Sequence, residues 1–558
     1  MHRRDFLGHA AVMAALLSPA GRAFARMRQA GADLILAGGT VYDGTGGAPR
    51  LADVAISGNR IAAIGPDLPS TGAMRIEVNG RAVAPGFIDI HAHTDLVLLV
   101  NPLAESKIRQ GVTTEVVGQD GGSIGPWDDE AFDEVRRSYR ERYDVEIDFR
   151  TLAGFFDRLD REPASVNLAS MVGNGAVREA VIGEIDRPAT PEELERMVAL
   201  VAEALDAGAC GLSSGLEYVP SAFSNLEELV ALAAPLRGRG LPYASHMRNE
   251  DDQLLGAIEE AINVGRLAGV PVQVSHLKVQ GERNWWKADV VFALLERAEE
   301  EGVDLAYDRY PYVAYSTGLT SLYPVWSRDG GTEAFLARLA DPSQQARIEQ
   351  AVRDKVAELG TWDAVQITST DSDDLAWARG RRLGELAAER GQEPYALLHE
   401  LIVADEAGPG MVGFGMSEAN TERILAHRLG MVCSDAGARA PYGPLSEGTP
   451  HPRAYGTFPR VLGYYARERG IMPLETAVHK MTAMPASRLK LVDRGVLQPG
   501  AFADVTVFDP ATVIDQATFE APHQYPKGIP HVIVNGQFVI RDGEHTEAKP
   551  GVVVRPQK

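Results

Sequence analysis

The chain has 558 residues, 45% of them hydrophobic, with 55 basic against 77 acidic side chains and a formal net charge of -22. That length predicts several domains or one large barrel with a smaller unit attached, and the ordinary composition excludes wholesale disorder and collagen-like repeats. Two cysteines, Cys210 and Cys433, exclude a disulfide framework or a Cys-rich zinc site, and the acidic surplus excludes a nucleic-acid partner, which needs a basic footprint.

In chain order, residues 1–25 (MHRRDFLGHAAVMAALLSPAGRAFA) carry Arg3-Arg4, a short apolar stretch and the small-x-small site Ala23-Phe24-Ala25. They read as a removable export signal of the twin-arginine type, which predicts a periplasmic protein. No later stretch reaches the roughly 18 uninterrupted apolar residues of a bilayer span, so stable membrane insertion is not expected. From Asp33, short runs such as Leu34–Leu36, Asp53–Ile56 and Arg60–Ile64 are broken by Gly38-Gly39, Asp43-Gly44 and Gly58-Asn59, hairpin chemistry at strand spacing. The same texture returns at Ala503–Phe508 and His531–Gly536. Residues 28–86 and 490–548 are therefore predicted to build one small β-sandwich from both chain ends.

Between them, over 87–489, apolar β-branched runs alternate with amphipathic stretches such as Pro191–Ala207, which Thr190 is placed to N-cap. This alternation predicts an α/β fold closed as a (β/α)8 TIM-like barrel. Residues 330–408 are charged, rich in Ala, Glu and Arg, and free of catalytic-looking clusters, and read as a helical insertion.

The sharpest chemical feature is Gly86-Phe87-Ile88-Asp89-Ile90-His91-Ala92-His93. An apolar strand ending in His-x-His puts both imidazoles on one face, half of a metal site at the active end of a barrel strand. Among thirteen histidines, His246 and His276 also close predicted strands, and Cys433-Ser434-Asp435 closes another. His451 and the other late histidines lack this placement. A carboxylate beside a metal can move protons between water and a leaving amine, which suits Asp435.

With Gln110-Gly111-Val112-Thr113-Thr114, Ser275-His276-Leu277-Lys278, Asp308-Arg309-Tyr310-Pro311-Tyr312 and His451-Pro452-Arg453-Ala454-Tyr455-Gly456, the sequence resembles the metal-dependent amidohydrolase superfamily and, within it, the D-aminoacylases. The resemblance covers about residues 32–545. It implies a zinc-dependent hydrolase acting on the linear amide of an N-acyl-D-amino acid, a small-molecule substrate, with one tight Zn2+ site, either alone as a single metal or with a second, weaker one. It implies His246 and His276 as ligands of the tight site, together with Asp120, which stands where the best-known members have cysteine. Glu217 and Glu115 are competing carboxylates. His91 and His93 either complete the second site with Asp435 or position the water, with Asp435 also the catalytic acid/base. Lys278, Tyr310 and Arg453 match a substrate-carboxylate clamp, and Tyr218, Ser316 and Met416 match pocket-lining positions. No lysine occurs between Lys107 and Lys278, so that stretch has none to serve as a carbamylated bridge between metals. The segment Tyr315–Leu322 offers no cation, which leans toward neutral or apolar substrate side chains. Rival readings are a cyclic-amide hydrolase or deaminase of the same superfamily, and a non-catalytic metal-binding envelope protein.

Overall fold

The computed structural model describes residues 32–557, so the expected export signal lies outside the described residues. The first strands are β1 (Leu34–Val41), β2 (Arg50–Ser57), β3 (Arg60–Gly65), β4 (Met74–Glu77) and β5 (Ala82–Pro85). The central region contributes β6 (Phe87–Asp89), β7 (Val112–Val117), β8 (Asn167–Ser170), β9 (Val172–Gly173), β10 (Leu212–Gly215), β11 (Tyr243–His246), β12 (Val272–Val274) and β13 (Leu305–Arg309). There follow β14 (Ala314–Gly318), β15 (Val365–Ser369), β16 (Gly410–Phe414) and β17 (Gly430–Val432). The last are β18 (Val505–Phe508), β19 (His531–Val534), β20 (Gln537–Arg541) and β21 (Glu544–His545).

Both chain ends enter one nine-stranded sheet, ordered β21-β20-β19-β18-β5-β1-β2-β3 with β4 also paired to β1. The seam is antiparallel β5·β18, from Val505 opposite Pro85 to Phe508 opposite Ala82. Alternation explains its core: Leu34, Leu36, Val54 and Ile56 share one apolar cluster with Val505, Val507 and Ile533, whereas Ile35, Ala37 and Ala55 form another.

The central strands form parallel ladders, β6-β7-β8 and β9-β10-β11-β12-β13-β17. The run Val112–Val117 is buried at every position, as expected of a parallel strand covered on both faces. The two ladders do not join into one closed ladder. At one junction β8 and β9 are separated only by Met171, whose N–H donates to Val117 O (2.9 Å) while Cys210 N–H donates to Ser170 O (2.8 Å). At the other, the chain after β17 meets the chain after β6: Asp435 N–H donates to His91 O (2.9 Å) and His93 N–H to Ala436 O (3.1 Å). Beneath this junction the fully buried Lys107 ammonium donates to Asp89 (2.8 Å), Ser434 Oγ (2.7 Å) and Ala436 O (2.7 Å).

Helix Pro191–Ala207 begins in a reciprocal capping box between Thr190 and Glu193. Residues 330–408 contain the helices Gly331–Ala340, Pro342–Leu359, Leu383–Arg390 and Pro394–Ala404, together with β15, which pairs with β16. The alternating Val365-Gln366-Ile367 makes that segment more than helical. The C-terminal tail returns to the centre of the molecule: Leu168 N–H donates to Val552 O (3.0 Å), and Val554 N–H to Leu168 O (2.7 Å).

Candidate metal centre and substrate cavity

Every histidine singled out from the sequence leaves the C-terminal end of a parallel strand. His91 and His93 follow β6, His246 ends β11 and His276 follows β12, while Asp120 follows β7 and Asp435 follows β17. Parallel register aligns these ends; Gly215 of β10 stands opposite His246.

Asp120 lies between two groups of ligand atoms. One carboxylate oxygen is 3.4 Å from His91 Nε2, and the other is 3.5 Å from His93 Nε2, 3.4 Å from His276 Nε2 and 3.7 Å from His246 Nδ1. Asp435 Oδ1 closes the first group at 3.0 Å from His93 Nε2 and 3.6 Å from His91 Nε2. Two clusters with metal-ligand geometry thus share one carboxylate: His91, His93, Asp120 and Asp435, and Asp120, His246 and His276.

The backbone at these positions is held under constraint. Asp120, His276 and Asp435 have φ of 53°, 35° and 50°, a left-handed region that non-glycine residues rarely occupy. Such conformations cost about 1–3 kcal/mol each and gather where a surrounding structure imposes them for function. The loop bearing Asp120 packs so closely on β10 that a Cβ added to Gly215 would stand 1.9 Å from Asp120 O.

Electrostatics ties the centre together. Burial works against charge on His91, but Asp120 and Asp308 outweigh it and hold its pKa well above the usual value. Against the same penalty, Asp120 and Asp435 lift His93 to about 9, and Glu250, Asp120 and Glu217 lift His246 to about 10. Asp120 and Asp435 pay the burial penalty too, yet both are held well below the carboxylate range, Asp120 by His91 and His276 and Asp435 chiefly by Arg453. Asp120 Oδ1 is buried without a hydrogen-bond donor. A buried anionic oxygen left open in a set of imidazoles and carboxylates fits a zinc-type cation.

Two carboxylates that motif reading passed over orient the imidazoles. Asp308 Oδ1 is 3.3 Å from His91 Nδ1 and accepts from His276 N–H (2.7 Å), while its Oδ2 accepts from Gln273 (2.6 Å). Asp308 opens a quoted motif, but nothing in its spacing announces this role. Glu250 Oε1 is 3.2 Å from His276 Nδ1 and accepts from Lys278 Nζ (2.6 Å), and Oε2 accepts from Gln280 (2.7 Å). Glu250 sits four residues beyond His246 with no sequence signal. The competing carboxylates separate: Glu217 is 3.2 Å from His246 Nε2, the nitrogen turned away from Asp120, whereas Glu115 is engaged by Lys107 (3.0 Å) and Thr94 (2.5 Å).

A cavity of about 440 Å³ lies over the centre, lined by His93, Asp120, His246, His276 and Asp435 and by Lys278, Arg453, Tyr218 and Ser316. Arg453 Nη1 donates to Asp435 Oδ2 (2.6 Å), and its Nε is buried without a partner. His451 Nδ1 accepts from Arg453 N–H (3.0 Å) and its Nε2 lies 2.9 Å from Ala314 O, which fixes the tautomer and makes it a support for Arg453. Tyr310 does not line the cavity; its ring is fully buried behind the clamp, 4.7 Å from the Arg453 guanidinium and 5.9 Å from Lys278 Nζ. Met416 also lies outside the lining, packed in the apolar core. Trp285 is tied by its indole N–H to Gly415 O (3.0 Å), and Trp286 is exposed away from the cavity. Lys355, from the inserted helix Pro342–Leu359, does line it.

The model of an amidohydrolase family matches residues 76–308 and 443–540. The chain is 40% identical to the D-aminoacylase of Alcaligenes xylosoxydans xylosoxydans, over 94% of this chain and 97% of that protein. It superposes on a D-aminoacylase structure described by the functional role of its binuclear metal centre, with one-metal activation and second-metal attenuation (TM-score 0.78, 39% identity, 94% and 100% of the two chains). It superposes equally on N-acyl-D-glutamate deacylase from Bordetella bronchiseptica, complexed with zinc and a phosphonate mimic of the tetrahedral intermediate (TM-score 0.79, 34% identity, 94% and 100%).

Proposed function

The chain belongs to the amidohydrolase superfamily and, within it, to the D-aminoacylases, and from that premise we propose that it hydrolyses N-acyl-D-amino acids to a carboxylic acid and a free D-amino acid. The observation that carries this reading is the shared Asp120 between two ligand clusters, with Asp435 and the clamp cations around one cavity. We read the two parallel ladders as arcs of one eight-stranded barrel, with β8 and β9 as a single stave. The periplasmic location rests on the Arg3-Arg4 leader alone.

His246, His276 and Asp120 would hold the tight zinc, and His91, His93, Asp120 and Asp435 the weaker one. Zinc, when bound, supplies Lewis-acid polarisation of the amide carbonyl. Arg453 and the imidazoles keep Asp435 ionised, ready to accept a proton from the attacking water and deliver it to the leaving nitrogen. The substrate α-carboxylate meets Lys278, held toward the cavity by Glu250, and Arg453, whose guanidinium offers a directional fork. Tyr310 backs both cations, Tyr218 and Ser316 line the substrate's path, and Met416 acts through packing.

The test is turnover of paired D and L N-acyl amino acids by the purified, zinc-loaded chain. Hydrolysis confined to or strongly favouring the D series is the expected result. Turnover of hydantoins or nucleobases with none of acyl amino acids would replace this reading with the cyclic-amide alternative.

A further inference from the structure

Beside the main cavity lies a second chamber of about 490 Å³, and the two share Glu217, Ser321 and Lys355 as a common wall. Most charges in this chamber are matched. Asp251 accepts from Lys355 Nζ (2.5 Å), Asp252 from Arg283 (2.9 Å), and Arg248 forks onto Glu260 (2.9 and 3.0 Å).

Arg328 is different. Its Nη2 donates to the backbone oxygen of Glu217 (3.0 Å), its Nε is buried without a partner, and no carboxylate among the described residues lies within 4.0 Å of the guanidinium. Burial lowers its pKa, only partly opposed by the nearby Glu217 carboxylate, the expected penalty for a buried cation without a direct ion pair. Lys355 stands on the common wall in the field of Glu217, donates to Asp251 and lies 3.8 Å from Glu358, and still has further N–H groups to donate. The reaction proposed above uses neither residue, because Lys278 and Arg453 already serve the α-carboxylate. Both were invisible to a reading of Tyr315–Leu322: Arg328 lies beyond that segment, and Lys355 arrives from a helix of the insertion.

We propose that Arg328 and Lys355 bind a second carboxylate of the substrate, carried either by the D-side chain or by a dicarboxylic acyl group. This replaces the leaning toward neutral substrates. An Arg fork with a neighbouring ammonium matches a planar two-oxygen anion. The inference rests on the deacylase reading and specifies its substrate class.

The experiment measures kcat/KM of the zinc-loaded full chain on two matched pairs: N-acetyl-D-glutamate with N-acetyl-D-glutamine, and N-succinyl-D-leucine with N-acetyl-D-leucine. The dianionic member of at least one pair should be preferred by about tenfold or more, the scale of a charged hydrogen bond. The pair that shows the preference identifies whether side chain or acyl group carries the second carboxylate. Arg328→Met and, independently, Lys355→Met should shrink the preference ratio by about tenfold, and Arg328→Lys should restore part of it. Equal or better turnover of the neutral members in both pairs, or a ratio that survives both Met variants, overturns this inference while leaving the deacylase reading intact. Failure to hydrolyse any of the four substrates overturns both.

Discussion

At the scale of single residues, the centre is a set of charges that hold one another in place. Asp435→Asn removes the proton carrier while keeping its shape; kcat should fall by about 10²–10⁴, with zinc at Asp120, His246 and His276 retained by metal analysis. Near-wild-type turnover would remove Asp435 from the chemistry. Glu250→Gln should weaken zinc binding about 10–100-fold, because the carboxylate beside His276 Nδ1 sets that ring's orientation; competition against a chromophoric chelator reads this without turnover. The raised pKa values of His93 (about 9) and His246 (about 10) also fix a sign. A histidine with its folded pKa raised contributes stability that is complete below about 6.5 and disappears as pH climbs through the folded value. Chelator-treated protein should therefore lose thermal stability between pH 7 and 10. Zinc affinity should rise over the same interval, since the ligands bind as neutral imidazoles. A melting temperature of stripped protein that rises across this range would contradict the charge pairing described.

At the scale of elements, the contacts beneath the site matter as much as the ligands. Gly215→Ala would drive a methyl against Asp120 O and displace the shared carboxylate, costing about 1–3 kcal/mol of stability together with zinc affinity; calorimetry and metal titration check both. Thr190→Ala removes one half of a capping box and should cost about 1 kcal/mol of stability, read from a lowered denaturant midpoint, while leaving kcat unchanged. That cap was legible because Thr-Pro-Glu-Glu ahead of an apolar-periodic run is a local signal. His91, His93, His246 and His276 were legible for a similar reason, since strand periodicity and strand ends place them without knowledge of the rest of the chain. Asp308, Glu250, Arg328 and Lys355 were not. Their partners are set by how loops from different strands lie over one another, and nothing in the adjacent sequence encodes that. Tyr310 and Met416 show the converse, positions named by motif that the structure puts behind the cavity or away from it. The insertion was misleading in one respect: a stretch without catalytic spacing still delivers an ammonium to the cavity wall.

At the scale of the whole molecule, the mixed sheet makes the first and last strands interdependent. A chain ending at Gly500 would lack β18–β21 and leave the β5 edge unpaired; it should be largely insoluble and show no cooperative unfolding transition in scanning calorimetry. The seam of β5 with β18 also has a consequence for biosynthesis. Pro85 and Val505 are roughly 420 residues apart, so a ribosome working at about 5–20 residues per second needs about 20–80 s to supply the partner strand. Throughout that interval the nascent β1–β5 unit presents an unpaired edge, an opportunity for a holding chaperone. The segment Val552–Val554, laid along Leu168 of β8, likewise reaches its partner only after roughly 400 further residues have been made.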